Sequence, residues 1–172
     1  MIKLGGRDAS TRAILSILAA VVLIAVAGGL WFTMEEAETG GRIPAQIGGL
    51  KLVRTVTGQE ALADLRQMHG SAFGLTGGYV AYYEKRATVW VGDTASEQEA
   101  QALIAAMVKK ISAGNRVFTN LKPVKLGGRD AYTVEGMGQQ HVFYYRDAAT
   151  VWVAAPVGSE AFSFTDAVEA IR

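Results

Sequence analysis

His69 and His141 are the only imidazoles in the 172-residue chain, and there is no cysteine. A metal centre built on two histidines needs a carboxylate or another ligand close by. Neither histidine has one at local spacing, and the thioethers of Met68 and Met137 fall into no ligating motif. His69 instead closes a helix beside Gly70, where a cation complements the helix dipole; His141 opens a strand. The absence of cysteine excludes disulfides, thiolate nucleophiles and cysteine-ligated zinc. No serine lies in a G-x-S-x-G elbow, and Ser71 and Ser112 read as turn or helix-end residues. The glycines of Gly77-Gly78 and Gly136-Met137-Gly138 lack the strand–loop–helix setting that holds a phosphate. Glu97 and Glu99 start a helix and Lys109-Lys110 end it, each complementing the dipole. Glu35-Glu36 lie in a linker. The expectation is therefore no catalytic residue, no metal and no cofactor.

The elements that position these residues begin with a membrane segment. Ala13 to Phe32 reads AILSILAAVVLIAVAGGLWF, without a charge. A helix of that length spans about 30 Å, the thickness of a bilayer's hydrocarbon core. Lys3, Arg7 and Arg12 precede it, against Asp8, and Glu35, Glu36 and Glu38 follow it. The positive-inside rule then places residues 1–12 in the cytoplasm and the C-terminal domain outside. Trp31 suits the headgroup level at the exit. The competing reading is a cleaved signal peptide, for which Ala25-Val26-Ala27 has the small-x-small pattern; the apolar run continues past it and favours an uncleaved anchor. Ser16, Ala20, Ala25 and Gly29 form a candidate packing face toward another membrane helix.

Residues 34–47 read as a linker, with Gly40-Gly41 and Pro44. Residues 48–172 read as an extracytoplasmic α+β domain with an antiparallel sheet. Leu50 to Val56 is a strand, and Thr57 and Glu60 form a capping box for a helix burying Leu62, Leu65 and Met68. GYVAYYEKRATVWV from Gly78 matches QHVFYYRDAATVWV from Gln140 at an offset of 62. Each copy is a hairpin of alternating β-branched and aromatic residues, followed by a helix. Ser96 and Glu99 cap the first helix, whose stripe is Ala100, Leu103, Ile104, Met107, Val108 and Ile111. Phe164, Ala167, Val168 and Ile171 form the second. The expected fold is thus α+β: one N-terminal transmembrane helix, then two repeated β-β-α units over 78–114 and 140–172. Between them, Leu121–Leu126 and Arg129–Val134 flank Gly127-Gly128 as another hairpin, with Pro123 pointing to an edge strand. The string KLGGRDA there recurs at Lys3 to Ala9 with no physical account.

Turns of two or four residues would place Val80, Tyr82, Val89 and Val91 on one face of the first copy, and Ala81, Tyr83, Thr88 and Trp90 on the other. In the second copy Val142, Tyr144, Val151 and Val153 oppose Phe143, Tyr145, Thr150 and Trp152. Tyr83, Trp90, Tyr145 and Trp152 are then a candidate partner or ligand surface, or else a second buried layer.

With 17 basic and 16 acidic side chains, no basic excess is available for nucleic acid. The expected partners are the lipid bilayer and other integral membrane subunits. The leading functional expectation is a non-enzymatic, single-pass accessory subunit of a larger membrane complex, in the cytoplasmic membrane, N-terminus inside and domain outside. The alternative is a tethered ligand-binding or sensory domain with a cleft between the two units. An enzyme would need two dispersed acids gathered in one cleft.

Overall fold

The computed structural model describes residues 41–69, 74–114, 116–158 and 162–171. Segment 13–33, with Ser16, Ala20, Ala25 and Gly29, lies outside the described residues. Among the described residues no helix is long and apolar enough to cross a membrane.

The elements run β1 (Gln46–Ile47), β2 (Leu50–Thr57), α1 (Gly58–His69), β3 (Gly77–Tyr83), β4 (Thr88–Asp93), α2 (Glu97–Ser112), β5 (Phe118–Leu126), β6 (Arg129–Gly136), β7 (Gln139–Arg146), β8 (Ala149–Pro156) and α3 (Phe164–Ala170). All strands join one antiparallel sheet in the order β1-β2-β3-β4-β8-β7-β6-β5. This corrects the expected fold of two repeated β-β-α units; the expected transmembrane helix falls on the segment outside the described residues. The domain is a single curled sheet with three short helices. β5 to β8 form an uninterrupted meander, and the helices after the two matched hairpins are not equivalent.

The two faces carry different helices. On one, Val89, Val91, Val142, Tyr144, Val151 and Val153 bury against Ala167, Val168 and Ile171 of the α3 segment. α3 reaches both β1 and β5, the two edges of the sheet, so it sits on the concave side. On the other face, Ile104 and Ile111 of α2 cover Val134, Phe143 and Trp152. Ala61 of α1 covers Val56 and Val80. Both faces are therefore core.

Helix starts follow the local chemistry. Ser96 Oγ accepts from the Glu99 N–H at 3.2 Å, and the Glu99 carboxylate accepts from the Ala95 N–H at 3.3 Å. The reciprocal box thus closes one residue earlier than the Ser96 N–H itself. Ser163 Oγ accepts from the Asp166 N–H at 3.2 Å in the same manner. Gly127 and Gly128 have φ of 53° and 76°, as a two-residue hairpin turn requires. Pro123 lies in β5, which is indeed an edge strand.

The two matched hairpins differ by one residue in register. In the second, Arg146 pairs with Ala149, leaving a two-residue turn, and the face assignment follows the expected parity. In the first, Tyr83 N–H donates to Ala87 O at 2.8 Å, leaving Glu84-Lys85-Arg86 as a three-residue turn. Lys85 and Arg86 adopt φ of 52° and 65° there. The odd loop sets Val80 opposite Trp90 and Tyr82 opposite Thr88. A one-residue slip exchanges the faces of a strand, so Tyr83 moves to the α3 side and Val80 to the α1 side. The expected grouping of Tyr83 with Trp90 is corrected accordingly.

Candidate functional site

Of the four aromatic candidates, Trp90, Tyr145 and Trp152 share the face covered by α1 and α2, and Tyr83 is on the α3 face. Trp152 stacks on Phe143, ring centroids 4.7 Å apart, and its Nε1–H donates to His141 Nδ1 at 3.0 Å. With Nδ1 accepting, His141 Nε2 carries the proton and donates to Gly136 O at 3.1 Å. Both ring nitrogens are satisfied in the core, so this histidine packs rather than ligates. Burial lowers its pKa, the bond to Gly136 opposing. Trp90 is half-buried and packs against the clusters of both α1 and α2. Among the described residues there is no group of three or more His, Cys, Asp or Glu that could hold a metal.

The concave side offers a different site. A cleft of about 370 Å³ opens where the ends of β4 and β8 meet. Val91, Val151, Ala149 and Ile171 form its apolar wall, and Arg42, Asp93, Arg146 and Asp147 supply its charges. Its position follows from the sheet order: β4 and β8 are central and antiparallel, so the β4 exit at Asp93 faces the β7–β8 turn. Thr94 fastens this junction: its N–H donates to Ala148 O at 2.8 Å, and its Oγ1 lies within hydrogen-bond reach of both Ser96 O (2.8 Å) and Ala148 O (2.9 Å).

Arg42 comes from the segment expected to be a linker. Two tyrosines of β3 fasten that segment to the sheet. The Tyr79 hydroxyl donates to Arg42 O at 3.3 Å and the Tyr83 hydroxyl to Pro44 O at 2.8 Å. Burial drives the Tyr79 hydroxyl up to about 12, the Arg42 charge opposing, and burial also raises Tyr83. The Arg42 guanidinium then reaches Asp93 in a two-pronged ion pair, Nη2–Oδ1 2.6 Å and Nη1–Oδ2 3.1 Å. The bond to Asp93 raises the Arg42 pKa.

Arg146 stands across the cleft. Its Nη1–H donates to Ile171 O, tying the end of the α3 segment to β7, and its Nε lies 3.5 Å from the Asp147 carboxylate. A guanidinium has five N–H donors; these contacts engage two of them, and Arg146 lines the cleft. Tyr144, two residues earlier in β7 and on the same face, is buried and raised in pKa by burial. Its hydroxyl has no hydrogen-bond partner among the described residues. The arrangement can bind charge against an apolar wall. It also gathers two dispersed acids, Asp93 and Asp147, each paired with an arginine.

Sequence reasoning missed Arg42, Asp93 and Arg146. Arg42 and Asp93 are 51 residues apart and meet only through the fold. No protein-family model, no curated protein and no solved structure matches the chain.

Proposed function

We propose that this chain is a non-enzymatic recognition domain that takes a small carboxylate-bearing ligand in the concave cleft. One observation carries the reading: a cleft of about 370 Å³ that joins an apolar wall to Arg146 at the meeting of the two matched hairpins. Its volume falls in the range of small-molecule sites, roughly 300–1,000 Å³. Guanidinium donors match a carboxylate in charge and geometry. Val91, Val151 and Ile171 supply the contact for the ligand's apolar body. Calorimetric titration of the purified chain with a panel of small organic acids tests this. Binding that is lost in Arg146→Ala while the fold is retained supports it, and heat unaffected by that substitution sinks it.

The uncharged run from Ala13 to Phe32 favours a second, compatible reading, in which the domain is held outside the cytoplasmic membrane as an accessory subunit of a larger complex. Covered sheet faces weigh against broad apolar docking by the domain, so Ser16, Ala20, Ala25 and Gly29 would carry the assembly. A mild-detergent pull-down with and without residues 1–33 separates the two readings. Membrane partners retained only by the full chain support the subunit reading; a lone chain in both lanes removes it.

A further inference from the structure

The end of the sheet opposite the cleft has a different chemistry. Met137 and Val157 are each 66% exposed and Val117 is 49% exposed. They belong to one surface. Val157 N–H donates to Gly138 O at 3.3 Å, and an added Cβ on Gly136 would lie 2.5 Å from Val117 O. The three-residue turn after β3 joins them, since Gln139 Nε2 donates to Arg86 O at 3.2 Å. α2 runs from the cleft end toward this one, bringing Lys109 and Lys110 of its last turn, with Arg116 just beyond.

Lys85, Arg86, Lys109, Lys110 and Arg116 are all exposed, and none forms an ion pair with a described residue. The cleft end differs: Arg42 and Arg146 are paired there, and Lys125 pairs with Asp130. Carboxylates at this end among the described residues include Glu84 and Glu135, each accepting a hydrogen bond, Glu84 from the Lys51 N–H and Glu135 from Asn120 Nδ2.

We propose that this basic, apolar-tipped end docks on an anionic bilayer surface, with Met137 and Val157 entering the interface and the five cations meeting lipid phosphates. Both apolar side chains stand at exposed turns, Met137-Gly138 and Val157-Gly158. Exposed apolar turn residues at the same end as several Lys and Arg unpaired among the described residues suit the headgroup boundary, whereas a protein partner is better served by a broad apolar surface. The proposal holds whether or not residues 13–32 tether the chain.

The natural chain has no cysteine, so one introduced thiol can be labelled uniquely. Full-length Met137→Cys carrying an environment-sensitive fluorophore is mixed with vesicles of phosphatidylcholine alone or with added phosphatidylglycerol. Gln98→Cys, at the start of α2, reports on the cleft end. The expected result is a blue shift at position 137 only, only with the anionic lipid, and reversed by salt. Replacing Lys109, Lys110 and Arg116 by alanine is expected to weaken it on the order of a hundredfold. Equal shifts in both lipids, a shift at position 98 instead, or no shift would each overturn the proposal. So would an equal response to soluble polyglutamate, which would assign the end to an acidic protein.

Discussion

Trp90 and Trp152 face each other across β4 and β8, and they are also the same position of the matched hairpins. Val89 pairs with Val153 and Val91 with Val151, so the equivalences exchange in the manner of a two-fold axis passing between the two tryptophans. The cleft lies on this junction, with Asp93 from one copy and Arg146 from the other on its walls. The symmetry stops one strand out, where the slipped β3 sends Tyr83 to the concave face. There its hydroxyl fastens Pro44 and so helps hold Arg42 in place. The site therefore depends on the departure from symmetry as well as on the symmetry.

The Trp152–His141 bond makes stability depend on acid. Burial lowers the His141 pKa from its ordinary 6.5. As the pH falls through about 6.5 the unfolded chain gains a proton before the folded one does, so stability is lost on acidification and is full above that value. Protonation also turns Nδ1 into a donor facing the Trp152 N–H. Urea unfolding between pH 8 and 5 is expected to show falling stability, with the slope over this window reduced in His141→Leu. A slope unchanged in that variant would contradict this.

Trp152→Phe keeps an aromatic ring at the position but removes the indole donor together with part of the buried ring volume. It leaves His141 Nδ1 buried without its partner, which is expected to cost about 1–3 kcal/mol. Phe143→Ala, at a side chain with no exposure, is expected to cost about 3–5 kcal/mol through the cavity it leaves. Chemical denaturation of the two variants gives the comparison.

Gly78 and Gly58 separate backbone strain from steric overlap. Both have positive φ, but an added Cβ at Gly78 would lie 2.1 Å from Val91 O, whereas at Gly58 nothing lies within 4 Å. Gly58→Ala is expected to cost about 1 kcal/mol and Gly78→Ala about 2–4 kcal/mol. Similar losses in thermal unfolding would mean that β3 does not approach β4 as described.

Much of the fold was legible locally. The Ser96 cap, the Gly127-Gly128 turn, the edge strand containing Pro123 and the stripes of α2 and α3 all follow from short-range chemistry. Two features did not. Lys85 and Arg86 in positive φ form an odd turn without the Gly or Asn that usually announces one, and that hid the reversal of β3. The pairing of β4 with β8 joins strands far apart in sequence, so the matched hairpins read as separate β-β-α units instead of the centre of one sheet. The cleft inherits both difficulties, because Arg42 is placed by Tyr79 and Tyr83, and Asp93 meets Arg146 only when the two copies pair.

Arg42 and Asp93 test how far the cleft's charges serve stability. Their side chains are 48% and 24% exposed, so solvent screens the pair and Arg42→Gln is expected to cost less than about 1 kcal/mol. A larger loss in denaturant unfolding would assign the pair a structural role instead of one at the cleft.

The most direct test of the recognition reading is amide chemical-shift mapping on the isotope-labelled chain during titration with small organic acids. The account predicts saturable shifts confined to Asp93, Thr94, Arg146 to Ala149 and Ile171, absent in Arg146→Ala. Shifts that centre on the Trp90 face, or no saturable shift with any acid in the panel, would contradict it.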